Sequence, residues 1–269
     1  MKFPAGITTI EDRIKYVVAN KIDIINLKKS ITKNGDCFGV NNFEKSVFDA
    51  ISKGEQNKGA DTGVVSKTII GNTYNWLDSH DDVHIDGLFT KSINENKSNI
   101  MHLHDHLQRL SAKVGIPQNV YEKAVPWVEL GVNKSGNTTC LLMDSEVIKD
   151  LNPSIYYQYC NKQVNQHSVG MQYVKLFLCV NSMEANYKKE FANWNKYIGF
   201  LGNPEKAIDQ GYFFAITEAK LKEISCVTKG SNELTGTLDD MEPDETTPKA
   251  NEPGSSTQPE SIFSKFQII

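Results

Sequence analysis

Between about residues 61 and 232 the chain alternates short apolar runs with polar, turn-rich stretches. SKTIIGNTYNWL predicts a strand, LDSHDDVHIDG a polar loop and LFTKSINEN a short helix. NIMHLHDH predicts a strand, and VYEKAVPWVELGV and NTTCLLM add strand material. DLNPSIYYQYCNKQ predicts a helix, with Asn152 as its cap and Pro153 in the first turn. HSVGMQYVKLFLCV is a long run rich in β-branched and aromatic residues, as strands are. In EANYKKEFANWNKYIGFL the apolar residues Tyr187, Phe191, Trp194, Ile198 and Leu201 recur with a helical period. GYFFAITEAKLKEISCV closes the region with two more strands. Strands with helices inserted between them predict an α+β domain around a barrel or strongly bent sheet.

The flanks differ. In TTIEDRIKYVVANKIDIINLKK the residues Ile10, Ile14, Val17 and Val18 have helical spacing, with Thr8 or Thr9 as cap. NNFEKSVFDAISKG predicts a second helix closed by Gly54, so residues 1–60 are expected to be a helical extension. From 233 to 259 the chain is acidic, carries Pro243, Pro248, Pro253 and Pro259, and has few large apolar side chains. Such a stretch buries too little surface to offset its ordering entropy, so a disordered linker is expected. Residues 260–269 regain Ile262, Phe263, Phe266, Ile268 and Ile269, a pattern for a docking peptide or for a terminus folded back on the domain.

Composition narrows the class. A formal charge of −4 over 269 residues implies no general affinity for nucleic acid or anionic lipid. No apolar run approaches the ~20 residues that span a bilayer. In MKFPAGITTIEDR a proline and three charges stand where a secretory leader needs an apolar core, so none is expected. The five cysteines are scattered and form no CxxC, the pattern of reduced, mostly buried thiols in an intracellular protein.

The candidate chemistry lies in three segments. HLHDH places His102, His104 and His106 at every second position, on one face if the strand continues. Such a row suits a zinc hydrolase, with His80 or His84 completing the site, or a strand that delivers one catalytic imidazole. NQHSVGMQY places Ser168 two residues before Gly170, where a missing side chain admits a substrate backbone and nearby N–H groups of Val169 and Gly170 can hold an oxyanion. His167 neighbours Ser168 in sequence and so faces the other way. In LKEISCV, alternation puts Glu223 and Ser225 on one face and Ile224 and Cys226 on the other.

Taken in order, SKTIIGNTYNWLDSHDDVHIDGLFTKSI, HLHDHLQRLSAKVGI, QHSVGMQYVKL and TEAKLKEISCVTKGSN resemble the prohead (capsid maturation) proteases of tailed bacteriophages. These are serine peptidases with a herpesvirus-assemblin-like fold. The resemblance spans about residues 66–235. It implies a protease domain over 61–232 with a bent sheet or β-barrel core and peripheral helices. It implies Ser168 as nucleophile, His106 as general base with His104 as competitor, and Glu223 as third member with Glu218 as fallback. No cofactor is called for. The implied substrates are the major capsid protein, the scaffold protein and the chain itself, cut inside a procapsid in the host cytoplasm, with activity dependent on self-association. Two alternatives stand beside this: the zinc hydrolase, and a non-enzymatic capsid-assembly protein of the same fold.

Overall fold

A computed structural model of the chain describes residues 3–33 and 62–238. The expected helix at NNFEKSVFDAISKG, most of the acidic linker and the apolar peptide 260–269 lie outside the described residues. The structure is mixed α/β. Its strands are β1 (Thr32–Lys33), β2 (Val64–Thr73), β3 (Asp82–His84), β4 (Met101–His104), β5 (Lys113–Pro126), β6 (Asn137–Ile148), β7 (His167–Val180) and β8 (Tyr212–Cys226). They form one mixed sheet in the order β1-β7-β8-β4-β5-β6-β2. β3 and β4 both run parallel to β8, at its two ends, while β7 runs antiparallel along its other edge.

Among the described residues the α-helices are α1 (Ile10–Ala19), α2 (Lys21–Ser30), α3 (Thr90–Asn96), α4 (Pro153–Cys160), α5 (Lys188–Tyr197) and α6 (Pro204–Gln210). α1 starts where the Thr9 side chain accepts from Asp12 N, and α4 where Asn152 accepts from Ile155 N with Pro153 in its first turn. α3 has no side-chain cap of its own. Instead Glu122 on β5 accepts from Phe89 N at 3.3 Å and from the Thr90 hydroxyl, which ties the helix start to the sheet.

β8 is buried on both faces, which explains its near-continuous apolar start YFFAI. On one face Phe214, Ile216, Leu221 and Ile224 join a core with Ile69, Met143, Val169, Tyr173 and helix residues Ile14, Val17 and Tyr159. On the other, Phe213 and Ala215 pack with Trp194 and Tyr197 of α5 and Ala207 of α6. A third cluster gathers around Trp127, Ile70 and Leu142.

Three expectations need correction. GYFFAITEAKLKEISCV is one strand, because neighbours on both edges hold its polar middle extended. The loop LDSHDDVHIDG contains the fully buried β3, whose Asp82 is matched by Lys28 of α2 at 2.7 Å and by the Tyr173 hydroxyl at 2.9 Å. α1 and α2 are not a separate extension: Ile14 and Val17 enter the main core, and Lys21 pairs with Glu190 at 2.6 Å. Among the described cysteines Cys140, Cys179 and Cys226 are buried, as expected of mostly buried thiols, and Cys160 is exposed.

The expected linker also begins too early. Thr235 and Thr237 are buried, and this segment lies between β7 and β2. His167 N donates to Thr235 O at 2.8 Å, Ile70 N donates to Gly236 O at 3.0 Å, and Ile69 bridges Thr237. The two distant strands of the ladder are thereby stitched together. The Thr235 hydroxyl donates to His167 O at 2.7 Å, a buried bond. Thr235→Val removes it and leaves a buried carbonyl short of a donor. We expect a loss of about 1–3 kcal/mol in urea unfolding, without a change in the folded circular-dichroism spectrum.

Candidate active site

β4 ends at His104, and the strand pattern of HLHDH ends with it. Asp105 N still donates to Cys226 O at 3.0 Å, but Asp105 and His106 both take left-handed backbone conformations, with φ of 51° and 54°. Leu107 N closes the turn on His104 O at 3.1 Å. Each such residue without glycine costs on the order of 1–3 kcal/mol, so the surrounding bonds must hold the turn in place.

The turn separates the three imidazoles. His102 bonds Ser145 Oγ at 2.9 Å and the Tyr159 hydroxyl at 3.0 Å. His104 bonds the neighbouring Asp105 carboxylate at 3.0 Å. His106 Nδ1 lies 2.5 Å from Glu223 Oε1, with both side chains buried. The row on one strand face, on which the zinc alternative rests, is therefore not formed. His84 is held by Asn72 and Tyr173, and His80 lies 3.9 Å from Asp78. No group of three His, Cys, Asp or Glu side chains among the described residues is arranged to hold a metal ion.

Glu223 is completely buried on β8. Its Oε2 accepts from the Ser225 hydroxyl at 2.5 Å, and its Oε1 accepts from His106 Nδ1. A carboxylate only accepts, so Nδ1 carries the imidazole proton. In the neutral ring, Nε2 is then left with its lone pair, and in this structure that atom is buried without a hydrogen-bond partner.

Ser168 lies directly across the β7–β8 ladder from Ser225, and Gly170 directly across from Glu223. Opposed residues of an antiparallel pair share a face, with Cβ atoms about 4.5–5.5 Å apart. The structure thus brings Ser168, Glu223 and Ser225 to one sheet face, with His106 bound to that face through Glu223. No hydrogen bond joins His106 Nε2 to Ser168. Ser168 is 6% exposed and His106 5%, so the face is closed to bulk solvent. A cleft of about 930 Å³ opens elsewhere, lined by His102, Gly115 and Gln118 and by none of these four residues. Glu218, the fallback, is half-buried, pairs with Lys91 at 3.6 Å, and stands five residues, about 16 Å, away from Glu223 along β8.

Gly170 has a role that its neighbourhood in sequence did not indicate. A Cβ there would stand 2.0 Å from Glu223 Oε1, so the missing side chain makes room for the carboxylate rather than for a substrate. Sequence reasoning also missed the Ser225 contact, although the E-x-S spacing on a strand carried the signal.

The opposite face of β7 carries a second polar chain. His167 Nδ1 lies 3.0 Å from Thr235 O, which only accepts, so Nδ1 is protonated. Nε2 then accepts from the Tyr159 hydroxyl at 2.8 Å, Tyr159 accepts from His102 Nε2, and His102 Nδ1 accepts from Ser145. Every direction is set by the carbonyl at one end. Burial holds His102 down to about 3, helped by the neighbouring His167, and burial holds His167 down to about 4.

In the unfolded chain both imidazoles titrate near 6.5. Below that value the unfolded chain binds protons that the folded one refuses, so stability is full above about pH 6.5 and falls as the pH drops towards 4. At pH 5 this amounts to about 2 kcal/mol per histidine. His167→Gln should flatten the dependence of the unfolding midpoint between pH 7 and pH 5, and an unchanged slope would contradict it. Gly170→Ala should displace Glu223 from His106 and lower stability by about 1–3 kcal/mol in thermal unfolding. No family model, curated protein or solved structure matches this chain.

Proposed function

We propose that the chain is a serine endopeptidase of bacteriophage capsid maturation, with Ser168 as nucleophile, His106 as general base and Glu223 as the group that orients it. One observation carries the reading: Glu223 fixes the proton on His106 Nδ1 and leaves Nε2 unpartnered, beside a face that also carries Ser168. A serine hydroxyl is a weak nucleophile at neutral pH and needs such a base. Catalytic contacts that are long without substrate commonly tighten when it binds, so the unmade bond to Ser168 is one the substrate complex has to form.

In the proposed reaction, His106 Nε2 takes the Ser168 proton as Oγ attacks the peptide carbonyl. The same imidazolium then returns the proton to the leaving amine. Glu223 keeps the tautomer and offsets the positive ring. Water hydrolyses the acyl-enzyme by the same path in reverse order. The sheet, bent enough for residues 234–238 to stitch β7 to β2, is compatible with the assemblin-like barrel that the sequence resemblance implies. On this reading the substrates are scaffold, major capsid protein and the chain itself, inside the procapsid.

Purified full-length chain, incubated and followed by intact-mass spectrometry, should release defined fragments. Ser168→Ala should abolish release while retaining the thermal unfolding transition, His106→Ala should abolish it with a lowered unfolding midpoint, and Glu223→Gln should slow it by about 10²–10⁴-fold. Fragmentation of Ser168→Ala at the wild-type rate would overturn the reading. Stable intact wild-type chain under assembly conditions would favour the non-enzymatic assembly protein.

A further inference from the structure

We infer that Ser225 is a positioning residue of this site: its single hydroxyl oxygen fixes both the Glu223 carboxylate and the backbone of the turn that carries His106. This deepens the peptidase reading and rests on it for its catalytic consequence. The hydroxyl has one proton and two lone pairs. The proton goes to Glu223 Oε2 at 2.5 Å, and His106 N donates to the same oxygen at 3.2 Å. A carboxylate accepts and a backbone N–H donates, so both directions are fixed. With its only proton committed to Glu223, Ser225 has none to donate to Ser168 across the ladder.

Its place in the sheet makes the oxygen a rigid reference point. Ser225 pairs with Ser168 on β7 and with Leu103 on β4, the strand that leads into the His106 turn. Proposed nucleophile, base and orienting carboxylate are thus all referred to one residue of β8: the base and the carboxylate through its hydroxyl oxygen, the nucleophile through strand pairing. Asp105 and His106 are both left-handed, and the His106 N–H bond is one of the contacts that hold them so. Ser225 and Glu223 are fully buried, so bulk water does not replace a missing hydroxyl. Ser225→Ala therefore removes a donor from Glu223 and an acceptor from His106 N at once. The imidazole loses its alignment from both ends, through its carboxylate and through its backbone.

The test has two readouts on the full chain. Self-cleavage of Ser225→Ala should be slower by about 10–100-fold, the range that orienting partners of functional groups carry. Ser225→Thr, which keeps the hydroxyl, should recover most of the rate, whereas its isostere Ser225→Val should not. The second readout is the His106 Nδ1–H proton in histidine-labelled Ser168→Ala chain, which stays intact, with His106→Gln to assign the signal. The short bond to Glu223 should give a strongly deshielded resonance, lost or moved upfield when Ser225→Ala or Ser225→Val is added and kept with Ser225→Thr. An unmoved resonance in Ser225→Ala, or Thr and Val variants equally impaired, would overturn the proposal. If the wild type cleaves nothing yet the resonance responds to the hydroxyl as described, the peptidase reading fails and the positioning role of Ser225 stands.

Discussion

A carboxylate with no exposed surface sits at the centre of this molecule. Removing Glu223 from water is expensive unless its oxygens are matched by donors, and here each has one: the Ser225 hydroxyl for Oε2 and the His106 ring for Oε1. The arrangement constrains the neighbours in turn. Gly170 must lack a side chain, because the carboxylate occupies that space. The His106 turn must leave β4 in a left-handed path to reach it. β4 must stop after four residues so that the turn can form.

The same logic explains why histidines of one short segment differ so completely. His102 belongs to a chain of neutral groups running from Ser145 to the Thr235 carbonyl, with every proton assigned by its ends. His106 belongs to a charged partner and has an open nitrogen. One imidazole joins sheet, helix and closing segment; the other keeps one ring nitrogen without a hydrogen-bond partner. Burial alone does not distinguish them, since both are almost fully enclosed. The identity of the partner atoms does.

Much of this was legible in the chain. The strand at His167–Val180 was visible from its β-branched and aromatic run, and the helix at Pro153–Cys160 from its cap and proline. Glu223 and Ser225 shared a face by simple alternation. The turn at Asp105 and His106 was hidden, because histidine recurs at every second position through HLHDH and no glycine marks the break. β3 was hidden because its acids read as solvent-facing, whereas Asp82 is neutralised by Lys28 from a helix far away in sequence. Residues 232–237 were hidden for a related reason: NELTGT is held by backbone and hydroxyl bonds, which leave little apolar signature. α6 is too short to show a clear period.

That closing segment also has a bearing on solubility. A strand edge with unused N–H and C=O groups is a template on which a second chain can pair. Where Thr235 and Gly236 accept from His167 and Ile70, those donors are spent within the molecule. At high local concentration, this protects the start of β7 and the middle of β2 from recruiting foreign strands.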